Sequence, residues 1–169
     1  MCQYTKTLHR EMTKMETQKN RKNTKERYYG KEAVAQSYHQ FRYGTRSGKL
    51  VFERELEYVR DTLRKEKPKS ILDVPCGTGR LFNALEKGSK VIGVDTSEAM
   101  LQVAQEKPYS KLIKAQAQKL PLKDNAVDMV VSLRFFFHFP DIKPFLKEFK
   151  RVVTDEGCIL FDTLNWSIR

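Results

Sequence analysis

From Ser70 onward, apolar residues fall in short runs that alternate with stretches of helical spacing. "SILDV" is an apolar run ending in an acid, "GRLFNALEKG" predicts a helix with Gly88 as its C-terminal cap, and "KVIGVD" predicts a second buried strand. Thr96 or Ser97 caps "SEAMLQVAQEK", whose apolar stripe is Met100, Val103 and Ala104, and Pro108 stops it. "SKLIKAQA" predicts a weaker strand and "AVDMVVSL" a stronger one. Asp141 then caps "DIKPFLKEFKRVV", with Ile142, Phe145, Leu146 and Phe149 on one helical face, and Gly157 turns the chain into a last strand, "CILFDTL". Upstream, "EAVAQSYHQF" predicts a short helix and "RYGTRSGK" a loop. "LVFERELEYVRDTLRK" predicts a longer helix with Phe52, Leu56, Val59 and Leu63 on one side, closed by Pro68.

Continuous apolar strands separated by amphipathic helices imply an α/β fold, a mainly parallel sheet of about five strands covered by helices on both faces. The 169 residues suffice for one such domain, over 28–169. The formal charge is +11, and residues 1–27 form a polar, basic, flexible arm that carries much of the excess. Two readings of that arm stand: a solvated tail, or a surface for nucleic acid. No run reaches the length of a membrane span and no apolar core marks a signal peptide, so the expectation is a cytoplasmic protein with no membrane partner. Cys2, Cys76 and Cys158 show neither zinc nor redox-pair spacing, and no metal is expected.

The candidate chemistry lies in "ILDVPCGTGRLF". In an open parallel sheet, ligands bind beyond the carboxyl ends of the strands, and a glycine turn after the first strand marks the place. A triphosphate-binding loop is excluded, because Gly77 and Gly79 are too close together and no Lys follows in place. A dinucleotide is disfavoured, since Phe82 replaces the small residue that lets helix and strand approach, and Asp73 would face a pyrophosphate of like charge. A cationic, phosphate-free nucleoside remains: Asp73 would attract its amino group and Asp95, at the end of the second strand, would accept hydrogen bonds from both ribose hydroxyls.

"LDVPCGTGR", "GVDTSEAML", "AQAQKLPL" and "DMVVSL" together resemble a class I, Rossmann-like S-adenosylmethionine-dependent methyltransferase, over roughly residues 28–166. The resemblance implies a three-layer α/β/α sandwich with strand order 3-2-1-4-5. It implies S-adenosyl-L-methionine as cofactor and S-adenosyl-L-homocysteine as product. By the same resemblance the cofactor is bound by Asp73, Cys76, Gly77 and Gly79 in the first turn and by Asp95, Thr96 and Met100 around the second strand. Gln116 and Ala117 would meet the adenine, Ser132 and Leu133 the methionine part, and Tyr38 and Arg42 would close over its carboxylate. Cys76 packs in the turn and is not a nucleophile. Pro75 stands where the family has a glycine, and Gln116 where it has an acid.

Methyl transfer is an in-line displacement in which positioning supplies much of the acceleration. His138, in "RFFFHF" after the fourth strand, is the candidate catalytic base, against a packing role, and the neighbouring aromatics divide between core and acceptor pocket. A small molecule is the leading acceptor, with RNA or protein behind it. Family members carry two further strands in a C-terminal hairpin that this sequence lacks, which predicts an exposed fifth strand. A truncated product, a homodimer covering that edge, and a cofactor- or partner-binding module without turnover all accommodate it.

Overall fold

The apolar runs become strands and the periodic stretches helices in the computed structural model, which describes residues 28–86 and 88–163. Helix α1 spans Glu32–Tyr43 and α2 spans Arg46–Glu66, so the loop expected over "RYGTRSGK" shrinks to Gly44 and Thr45. The reason is a cap: Thr45 Oγ1 accepts from the Gly48 N–H at 3.0 Å and starts α2 at once. Val59 is fully buried, with Phe52, Leu56 and Leu63 packed beside it, as their spacing predicts. Lys67, in the left-handed region, ends the helix just before Pro68.

Strands β1 (Ser70–Asp73), β2 (Lys90–Asp95), β3 (Lys111–Lys114), β4 (Val127–Ser132) and β5 (Val153–Phe161) form one sheet. Its order is 3-2-1-4-5 and every pair is parallel, the Rossmann-like arrangement. Side chains alternate between faces. Ile71 joins Val59, Phe82, Leu85 and Val91 under α2 and α3 (Phe82–Leu85), while Leu72 and Val74 join Phe136, Phe145 and Phe149 under α5 (Lys143–Val152). Helix α4 (Glu98–Ala104) runs beside β2 and β3, and α1 lies over it through Ala35, Tyr38 and Met100. Asp73 is level with Gly93 across the β1–β2 pair, which sets Asp95 two residues further along.

Three local expectations change. The helix after the glycine turn is a single turn, because residues 77–81 are spent in turns and no side chain caps its start; Gly88 lies beyond its end. Asp141 is not the N-cap of α5 but one residue before it, where its carboxylate accepts from the Lys143 N–H at 3.0 Å. Gly157 lies inside β5, which starts directly after α5 and bulges where Val127 and Met129 of β4 face Val153 and Cys158. The far edge of β5 has no partner strand among the described residues, and Cys158, Ile159 and Leu160 on it are half-buried. The basic arm, 1–27, lies outside the described residues, as do His9, Cys2 and Trp166.

Phe149 is 0% exposed in the centre of the α5 layer. Phe149→Ala is expected to cost about 3–5 kcal/mol of unfolding free energy in urea titrations; a loss under about 1 kcal/mol would contradict this packing.

Candidate functional site

The turn that leaves β1 is tied on both sides. Val74 N–H donates to Val131 O of β4 and Cys76 N–H to Val94 O of β2, each at 2.9 Å, with Pro75 between them after a cis peptide bond. Gly77 and Gly79 then take φ values of +55° and +75°, a region closed to most side-chain-bearing residues. A Cβ at Gly77 would meet nothing within 4 Å, so that part of the bend is bare. Gly79 is packed by the protein itself: a Cβ there would lie 3.1 Å from the ring of Tyr109 and 3.2 Å from Lys107.

Asp95 closes the bend. Its Oδ2 accepts from the Gly77 N–H at 2.9 Å and its Oδ1 from the Ser97 N–H at 2.8 Å. A carboxylate offers about four lone-pair sites, so Asp95 retains acceptor capacity beyond these bonds. Burial raises the Asp95 pKa, and the N–H groups of Ser97, Gly77 and Thr96 pull against it. Asp73 is only 1% exposed. Its Oδ2 accepts from the Tyr109 hydroxyl at 2.8 Å, and its Oδ1 has no hydrogen-bond partner among the described residues. Burial pushes its pKa up to about 7, with the Tyr109 hydroxyl and the Arg80 charge opposing and Asp95 assisting.

The other expected residues differ in burial and surroundings. Ser132, at the tip of β4, is fully buried and its Oγ lacks a partner among the described residues; Leu133 beside it is half-buried. Thr96 is exposed and Met100 is buried under α1. Tyr38 packs against Ala99 and Met100, on the helix that follows Asp95, whereas Arg42 is exposed. Gln116 is exposed in a small bridge with Lys119, and Ala117 belongs to the core beneath α5. Burial and the two carboxylates push the Cys76 thiol pKa up, away from the reactive thiolate form. His138 ends a 3₁₀ turn, Phe136–His138, with its ring 4.6 Å from that of Phe137.

Sequence reasoning missed a charged wall beside the turn. Glu55 of α2 pairs with Arg80 at 2.8 Å and with Arg134 at 2.6 Å, all three largely buried. The Arg80 guanidinium lies 5.5 Å from the rings of both Tyr43 and Phe52. Arg134 adopts a left-handed φ of 64°, and its N–H donates to Asp162 at 2.7 Å. The signal was present in the immediate neighbours of the motifs, since Arg80 ends "GTGR" and Arg134 opens "RFFFHF".

A family model described as a methyltransferase domain matches residues 72–161, more than half of the chain. The chain belongs to the methyltransferase-domain family. A demethylmenaquinone methyltransferase of Geobacillus stearothermophilus is 36% identical over 121 residues, covering 64% of this chain and 52% of that relative. One from Staphylococcus aureus is 39% identical over 97 residues, 53% of this chain and 40% of the relative. The chain spans about half the length of these relatives. Among solved structures, an S-adenosylmethionine-dependent methyltransferase of Thermotoga maritima superposes with a TM-score of 0.63 at 24% identity, covering 79% of this chain and 60% of the other. A Pyrococcus horikoshii protein gives the same TM-score at 22% identity, covering 82% and 64%. At these identities the likeness is one of fold.

S-adenosylmethionine, the family's methyl donor, suits what the turn offers. It is cationic and carries no phosphate, and the bend presents a bare Gly77 beside two carboxylates that retain acceptor capacity, with the buried Ser132 hydroxyl at the neighbouring tip of β4 lacking a partner among the described residues. Among the described residues no His, Cys, Asp and Glu cluster has metal-site geometry, and no helix is long and apolar enough to cross a membrane.

An acid whose pKa rises on folding, here from 3.8 to about 7, leaves the folded state holding the extra proton across that window. Its contribution to stability therefore falls as pH rises from about 4 to about 7, and stays low above. Asp73→Asn is expected to raise the thermal midpoint at pH 8 and to change it little at pH 5; a lower midpoint at pH 8 would contradict the burial of this charge.

Proposed function

We propose that the chain binds S-adenosylmethionine across the tips of β1 and β2 and directs its methyl group to a small-molecule acceptor held by the segment Arg134–Phe139. The observation that carries this reading is the bare Gly77 bend between two buried carboxylates that keep acceptor capacity. Asp95 holds the ribose hydroxyls with its remaining lone pairs, and Asp73 Oδ1 takes the amino group. Ser132 Oγ and Leu133 line the methionine end, and Thr96 and Met100 stand toward the adenine. When bound, the donor supplies an electrophilic methyl group whose carbon–sulfur bond breaks as the acceptor's new bond forms, leaving S-adenosylhomocysteine.

The acceptor side is aromatic. Phe135, Phe136, Phe139 and Phe145 pack with ring centroids 4.4–6.0 Å apart, and Phe136 is buried, so the core claims part of the segment. Phe135, Phe137, His138 and Phe139 keep partial exposure. A flat, apolar acceptor suits such a surface, in keeping with the demethylmenaquinone named for the relatives. His138 takes the acceptor's proton where the nucleophile carries one. A second reading, a donor- or partner-binding module without turnover, draws on the edge of β5, which has no partner strand among the described residues. The basic arm as a nucleic-acid surface remains a further proposal, outside the described residues.

Calorimetry with S-adenosylmethionine tests the donor, and a tritiated-methyl screen over reduced quinones and small phenols tests the transfer. Asp95→Ala is expected to weaken donor binding by about 1–3 kcal/mol, the loss of two hydrogen bonds to a charged group. Unchanged affinity would contradict the ribose assignment, and binding without transfer to any acceptor would favour the module.

A further inference from the structure

Tyr109 precedes β3 and belongs to none of the motifs, yet three elements of the site meet at its side chain. Its hydroxyl donates to Asp73 Oδ2 at 2.8 Å. Its ring passes where side chains are missing: a Cβ at Gly79 would lie 3.1 Å from it, and a Cβ at Gly93 would lie 3.0 Å from it and 3.1 Å from Cys76 Sγ. On its other side the ring of Phe82 is 4.5 Å away, centroid to centroid. A carboxylate pinned through one oxygen, with the second oxygen unbonded among the described residues, can present only that second oxygen to a ligand.

We propose that Tyr109 is a positioning residue for the methyl donor, holding Asp73 by Oδ2 so that Oδ1 receives the donor's ammonium group. This rests on the donor reading given above. The Tyr109 hydroxyl and the Arg80 guanidinium favour the charged form of Asp73, the neighbouring Asp95 carboxylate opposes it, the Cys76 thiol adjoins both carboxylates in its neutral form, and Arg80 is itself shared with Glu55. Removing the hydroxyl takes away one of the two groups that favour the anion, so the Asp73 pKa moves above about 7 and the ammonium loses its partner near neutral pH.

The same geometry explains two residues the family resemblance leaves without a role. Gly93 is bare because Leu112 Cδ2, at 2.6 Å from a Cβ placed there, and behind it the Tyr109 ring and Cys76 Sγ, occupy the place of its side chain, and Phe82 packs the Tyr109 ring from the other side. A small residue at 82, the one a dinucleotide turn requires, would leave Tyr109 unsupported.

The test compares S-adenosylhomocysteine, which carries the amino group, with 5′-methylthioadenosine, which lacks it, by calorimetry of the full chain between pH 6 and 8.5. Wild-type protein should bind S-adenosylhomocysteine more tightly as pH rises through about 7, and 5′-methylthioadenosine with little pH dependence. Tyr109→Phe, which keeps the ring, should weaken S-adenosylhomocysteine about three- to tenfold at pH 7, shift the inflection to higher pH, and leave 5′-methylthioadenosine unchanged. In an Asp73→Asn background it should have no further effect. Equal weakening of both ligands with an unmoved inflection, or a full effect persisting in Asp73→Asn, would overturn the Tyr109 assignment while leaving the donor reading intact. Failure of wild-type protein to bind either ligand would instead overturn the donor reading, and this inference with it.

Discussion

Two carboxylates stand out of water at neighbouring strand tips, and the local structure is arranged around the cost of keeping them there. Stripping water from an ionised carboxylate costs several kcal/mol unless hydrogen bonds or opposite charges replace the lost solvation. Asp95 is repaid by backbone N–H groups of Gly77 and Ser97, and those same bonds fix the bend's conformation. Asp73 is less well compensated: one hydroxyl and a shared arginine leave its pKa near 7. Burying these charges costs stability, and a cation bound between them would offset part of that cost.

The charged wall extends that arrangement to the N-terminal helices. Glu55 of α2 holds Arg80 of the glycine bend on one oxygen and Arg134 after β4 on the other. Asp162, just past β5, receives the Arg134 N–H. Thus α2, the bend and the ends of β4 and β5 share one network, with Tyr43 and Phe52 stacked near the Arg80 guanidinium. Networks of this burial are worth more for geometry than for net stability, since desolvation offsets much of the Coulomb attraction. The consequence is mechanical: α1 and α2 are joined to the glycine bend, and the left-handed backbone of Arg134 is held by partners on both its main chain and its side chain.

The fold was legible in the sequence because its strands are short apolar runs and its helices carry stripes such as Phe52–Leu56–Val59–Leu63, signals that burial alone produces. Order 3-2-1-4-5 came from the resemblance carried by "LDVPCGTGR", not from the pattern. Boundaries were less legible where a cap outranks a glycine: Thr45 starts α2 inside a stretch that reads as loop, and Gly157 sits in a bulge that reads as a turn. The carboxylates of the site were visible from spacing, but their partners were not. Tyr109 reaches Asp73 across 36 positions of sequence, and Glu55 reaches Arg80 across 25. Pairings of that separation depend on how layers stack, which no local periodicity encodes.

The most direct test of the account is a crystal structure of the chain with S-adenosylhomocysteine. It should show the nucleoside over Gly77, both ribose hydroxyls on Asp95, and the amino group on Asp73 Oδ1 while Tyr109 still holds Oδ2. A nucleoside bound elsewhere on the molecule, or one over the bend with both carboxylates still bonded only to the protein's own groups, would contradict it.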